Sequence, residues 1–99
     1  MSRLESKRIL VTSATTYMGP PIVELFGAEG ADVIADEGDL IDPSAPTSAT
    51  NSAGAVDAII ANLDLPAYLA RATEIEDETW LAGFDAMVHP LMRLVRAAT

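Results

Sequence analysis

Apolar positions along the chain fall into short contiguous blocks set between polar turns. "KRILVTS", Lys7 to Ser13, is such a block. Contiguous rather than alternating apolar residues are expected of a parallel strand covered on both faces. Gly19 to Gly30 changes period: Ile22, Val23 and Phe26 share one helical face. Pro20 and Pro21 sit in the first turn, where the missing N–H groups cost the helix nothing, and Gly30 is a natural stop. "ADVIAD", 31–36, predicts a second strand and "AVDAIIANL", 55–63, a third. Strand, helix, strand and later strand predict an α/β fold with a parallel sheet and right-handed crossovers.

Two further segments complete the pattern. Residues 41–55, "IDPSAPTSATNSAGA", are mostly Ser, Thr, Ala and Pro with one charge, Asp42. They read as a loop with at most a helical turn near 47–53, standing where a crossover helix is normally found. Asp77 to Ala98 reads as the longest helix. Trp80, Phe84, Met87, Val88, Leu91, Val95 and Ala98 recur at helical spacing, and Leu81, Met92 and Leu94 widen the stripe. Asp85, His89, Arg93 and Arg96 form the narrow polar remainder. A helix so broadly apolar is expected to meet two partners, its own sheet and another subunit. Pro90 removes the hydrogen bond to Ala86 and is expected to bend it.

Composition narrows the class. The chain of 99 residues is 49% hydrophobic and 21% charged, which suits one small globular domain. No apolar run approaches the roughly 20 residues of a membrane span, and the polar opening "MSRLESKR" is unlike a signal peptide. A cytoplasmic protein is the expectation. There is no cysteine, so disulfides and thiolate metal sites are excluded. A net charge of −9 disfavours nucleic acid as a partner.

The candidate chemistry lies in "VTSATTYMGPP", 11–21. A chain leaving a strand and turning at once into a helix is a usual phosphate seat, yet this turn has one glycine, Gly19. "KRILVTSATTYMGPPIVELFGAEGADVIAD" resembles the opening βαβ unit of the short-chain dehydrogenase/reductase superfamily, whose fingerprint is T-G-x-x-x-G-x-G. Thr12 falls on its Thr, Ser13 on the first Gly, Tyr17 on the second, and Gly19 on the last. "VDAIIANLDLPAY" is similar to the superfamily's fourth strand and N-N-A-G signature, with Asn62 on the second Asn; Ala61, Leu63 and Asp64 depart from it. "DETWLAGFDAMVHPLMRLVRAA" is similar to the long helix that follows, with Met87 near a position where an Asn commonly helps shape the active site. The resemblance implies a Rossmann-like sheet of which residues 1–99 are a single partial domain, its N-terminal half.

Within the superfamily, the turn resembles that of the halohydrin dehalogenases, T-x-x-x-x-[FY]-x-G, matched by Thr12, Tyr17 and Gly19. That resemblance implies a cofactor-independent conversion of a vicinal halohydrin to an epoxide and halide. It places a halide and substrate pocket at Thr12, Tyr17 and Asn62, Gly19 as a structural glycine, and the catalytic Ser, Tyr and Arg after residue 99. The second Gly lets a backbone approach pyrophosphate, so a Tyr there is expected to fill the space and block a dinucleotide. The rival reading is an NAD- or NADP-dependent oxidoreductase with a degenerate turn. Ser13, Asp36, Glu37, Asp39 and Leu40 would then touch the cofactor. A third reading is a non-catalytic piece that only associates through its long helix. Under any reading a homodimer or homotetramer through the 77–98 helix is expected. Plainer roles stay open: Tyr17 as a packing residue, Asn62 as a strand-end polar residue, and Asp36 and Glu37 as solvated acids. Glu74, Glu76, Asp77 and Glu78 are read as complementing the positive end of the long helix rather than as a metal cluster. His89 is read as solvent-facing or interfacial.

Overall fold

The computed structural model describes residues 2–64 and 71–98. Three parallel strands, β1 (Arg8–Val11), β2 (Asp32–Ala35) and β3 (Ala58–Ile60), form one sheet in the order β2-β1-β3. Ile9 stands beside Val33 and Ala58, and Val11 beside Ala35 and Ile60. The contiguous apolar run of β1 has its cause in the two faces it serves. Ile9 and Val11 pack with Ile22, Val23 and Phe26 of helix α1 (Gly19–Ala28). Leu10 points the other way, onto Ala49 and Ala53.

Those alanines belong to helix α2 (Ala45–Ala53), and here the structure corrects the expectation of a loop over 41–55. Pro46 opens the helix in its first turn, and Gly54, at φ 71, closes it. Small side chains gave the segment the look of a linker. They are what allows α2 to lie close on the sheet, with Pro46, Ala49 and Ala53 buried, and beneath the C-terminal helix. Asp42 prepares the helix: its Oδ1 accepts from Ser44 N–H at 2.9 Å and from Ser44 Oγ at 2.8 Å, and these bonds hold the Asp42 carboxyl below the ordinary aspartate value.

The long C-terminal helix is helical throughout but changes register. α3 (Asp77–Gly83) passes through a π turn, Phe84–Val88, into α4 (His89–Ala98). His89 N–H bonds to the Phe84 carbonyl, a step of five, immediately before Pro90. The wide turn absorbs the proline, which cannot donate to Ala86. Ala86, Pro90 and Leu94 are buried and form the inward face. Leu81, Val88, Met92 and Val95 remain exposed on another. His89 Nδ1 meets Asp85 Oδ1 at 3.1 Å, a partner one turn earlier on the same polar stripe. Asp77 and Glu78 occupy the first turn of α3, where the helix dipole favours acids. No described helix is long and apolar enough to cross a membrane.

Candidate functional site

The chain runs from β1 outward to β2, then crosses back over β1 to β3. α1 and α2 cover opposite faces. The crevice at the carboxyl ends of such strands, where the direction of winding reverses, is where ligands bind in open α/β sheets. A cleft of about 230 Å³ lies there. Ser13, Thr15 and Thr16 line it from the turn after β1; Glu37, Gly38, Asp39, Leu40 and Ile41 from the segment after β2; Leu63 and Asp64 from the end of β3. Ala86 closes it from the π turn. Among the described residues, three carboxylates, those of Glu37, Asp39 and Asp64, line the cleft, and no lysine or arginine does.

The turn itself keeps the backbone of a glycine-rich loop without its glycines. Ser13 has φ 46 and Tyr17 has φ 50, both left-handed, at the two positions where the fingerprint has Gly. Such a conformation costs an ordinary residue roughly 1–2 kcal/mol, and it persists only where neighbours impose it. The neighbours are identifiable. Asn62 Nδ2 donates to the Ser13 carbonyl at 2.9 Å and to the Thr16 carbonyl at 2.9 Å. Thr12 Oγ1 donates to the Asn62 carbonyl at 2.8 Å. Thr16 N–H returns to the Ser13 carbonyl, and Ala14 N–H ties the turn to the Asp36 carbonyl after β2.

These bonds correct two expectations. Thr12 is fully buried and Asn62 nearly so, with the hydroxyl proton and the amide protons committed to backbone carbonyls. They lie beneath the turn as a strut and do not line the cleft. The Tyr17 ring does not fill the room left by the second Gly. It is 72% exposed at the rim and is not among the cleft-lining residues.

A Cβ at Gly19 would stand 2.5 Å from the carbonyl oxygens of Ser13 and of Ala14. Of the residues of the rival reading, Ser13, Glu37, Asp39 and Leu40 come together in the cleft. Asp36 stands just outside it, half-buried, its Oδ2 accepting from Gly38 N–H at 3.2 Å. Met87 is exposed and not among the cleft-lining residues. The end of the stretch likened to the N-N-A-G strand, residues 65–68, lies outside the described residues. Sequence reasoning missed Thr15, Thr16 and Asp64, although their places directly after strands were a usable signal.

A dinucleotide fits one end of this site and not the other. Glu37, Asp39 and Leu40 suit an adenosine ribose and its base. The start of α1 does not suit the pyrophosphate. Gly19 N–H is taken by the Thr16 carbonyl at 2.8 Å, Pro20 and Pro21 have no N–H, and Ile22 N–H is taken by the Met18 carbonyl at 3.2 Å.

No protein-family model matches the chain, and no curated protein matches it. Solved structures do match. A short-chain dehydrogenase/reductase from Serratia marcescens superposes with a TM-score of 0.83 at 20% identity, over 96% of this chain and 52% of that one. A double mutant of a short-chain dehydrogenase/reductase from the same organism gives 0.84 at 18% identity, over 96% and 50%. The ligand-free aldohexose dehydrogenase of Thermoplasma acidophilum gives 0.80 at 21% identity, over 98% and 44%. The chain spans about half the length of these proteins. Its fold is thus the Rossmann-like fold of short-chain dehydrogenase/reductases, over about half of their length.

Proposed function

We propose that this chain is the N-terminal half of a cofactor-independent enzyme of the halohydrin dehalogenase type, built on the short-chain dehydrogenase/reductase fold. The observation that carries this reading is the strained turn. Tyr17 occupies a glycine's conformation at φ 50, held there by the strut beneath it, and presents its ring at the rim of a strand-end cleft. A bulky residue kept where glycine would be cheaper points to a use for its side chain. The backbone N–H groups of Thr15, Tyr17 and Met18 carry no hydrogen bond among the described residues, so the same turn offers donors to a small anion.

In the proposed reaction the substrate hydroxyl gives up its proton, and its oxygen attacks the neighbouring carbon. The carbon–halogen bond breaks, the halide leaves with the bonding pair, and an epoxide and a halide ion result. This half contributes the seat for the leaving halide at the turn N–H groups, with the Tyr17 ring at its rim and Thr12 and Asn62 holding the turn. The proton-handling Ser, Tyr and Arg are expected after residue 99.

The test is a bromide titration of the isotope-labelled chain at constant ionic strength, with sulfate as the control. Saturable shifts of the Thr15, Tyr17 and Met18 amides, absent with sulfate, are the expected result. Shifts that never saturate, or that sulfate reproduces, overturn the reading.

A second reading, an NAD-dependent oxidoreductase, is favoured by the placing of Glu37 and Asp39 in the cleft and by the activities named for the structural neighbours. Acidic residues after the second strand, with no cation in the lining among the described residues, would select NAD over NADP.

A further inference from the structure

A helix normally leaves its first N–H groups without intrahelical partners, and these are what a phosphate at a helix start binds. In α1 those groups are Met18, Gly19, Pro20 and Pro21. Gly19 is spent on the Thr16 carbonyl, and the two prolines have nothing to donate. Only Met18 is left. The cleft supplies no charged substitute, since among the described residues its lining holds Glu37, Asp39 and Asp64 and no lysine or arginine. Tyr17, the residue expected from the sequence to obstruct a nucleotide, is not among the lining residues and is largely in solvent.

We infer that Pro20 and Pro21 are the residues that exclude phosphate-bearing nucleotides from this cleft. They do so by deleting donors rather than by filling space. The remaining turn N–H groups can serve one small anion. A diphosphate needs several donors at once and meets like charge from the cleft wall. Selectivity of this kind depends on leaving the wrong ligand's charges unpaired. The inference concerns which ligands enter; it agrees with the cofactor-independent reading and speaks against the NAD-dependent one.

The experiment compares the wild-type chain with the double variant Pro20→Ala/Pro21→Ala, each titrated with adenosine, AMP and NADH by calorimetry. Alanine is well tolerated at a helix start, and circular dichroism checks the fold. For the wild type, AMP is expected to bind no tighter than adenosine. For the variant, AMP and NADH are expected to gain at least about tenfold, the worth of one recovered hydrogen bond to a charged group, with adenosine unchanged. Three results overturn the inference. One is a wild type that binds AMP about tenfold tighter than adenosine. Another is a folded double variant with no gain for either phosphate ligand. The last is a Tyr17→Gly variant that gains as much as the proline variant. None of these readouts involves halide, so the bromide titration can fail while this inference stands, and the reverse.

Discussion

The side-chain amide of Asn62 donates to the carbonyl of Thr16 at 2.9 Å, joining the end of the third strand to a turn 46 residues earlier in the chain. With its second bond to the Ser13 carbonyl, it holds the turn shut across two strands. Both partners are acceptors, so the nitrogen must face them. Asn62→Ala is expected to cost about 1 kcal/mol, because two part-buried carbonyls each lose one of their donors. Asn62→Asp should cost more, since a carboxylate cannot donate and would face two carbonyl oxygens. Chemical denaturation of the three proteins checks the order; equal stability of all three would show that the strut does not hold the turn.

Gly19 is expected to accept no side chain. A Cβ 2.5 Å from two backbone oxygens cannot be relieved by a rotamer change. Gly19→Ala should lower stability by about 1–3 kcal/mol, and Gly19→Val by more. An unchanged melting temperature in Gly19→Ala would place the helix start elsewhere.

Tyr17→Gly separates stability from function. Removing the side chain relieves the left-handed strain and adds the freedom of glycine to the unfolded chain, leaving a net gain of up to about 1 kcal/mol. The bromide response of the turn amides should disappear in the same variant. The double variant Ser13→Gly/Tyr17→Gly should not gain NADH affinity, because the prolines remain. A stabilised variant that still responds to bromide would leave Tyr17 without the role proposed for it.

Acid should loosen the entry to α2. The Asp42 carboxyl titrates below the ordinary aspartate value because the folded state hydrogen-bonds its charged form. Its contribution is present above the unfolded aspartate value and is lost as pH falls through the lower folded value. The group is fully exposed, so the effect on global stability is small. A carboxyl-carbon titration should show the Asp42 midpoint below the ordinary aspartate value, and Ser44→Ala should raise it.

Assembly is proposed from the exposed side of the long helix. Leu81, Val88, Met92 and Val95 are 60%, 48%, 47% and 58% exposed, while Ala86, Pro90 and Leu94 already occupy the inward face. A homodimer or homotetramer through residues 77–98 would cover them, and in a two-fold contact one substitution acts twice. Met92→Glu should shift the protein to monomer or aggregate. Sedimentation showing a stable wild-type monomer at high concentration counts against the assembly.

The existence and type of most elements were determined by the sequence alone. Contiguous apolar residues in 8–11 and the face shared by Ile22, Val23 and Phe26 are local patterns, and local geometry reads them directly. The tight space at Gly19 follows the same local logic, since a Cβ there would meet the carbonyl oxygens of Ser13 and Ala14. α2 was not legible: Ala49 and Ala53 carry almost no apolar signal, and their worth lies in fitting between Leu10 and the C-terminal helix. Nor were the parts of Thr12, Asn62 and Tyr17. Sequence placed all three at one site, but the direction of a side chain depends on which carbonyls are brought near it. Contacts between positions 49 and 46 residues apart turned Asn62 from a ligand candidate into a strut. The prolines show the same division. In sequence they are harmless helix starters, and only the bond from Gly19 to Thr16 reveals that they leave the helix start with almost nothing to donate.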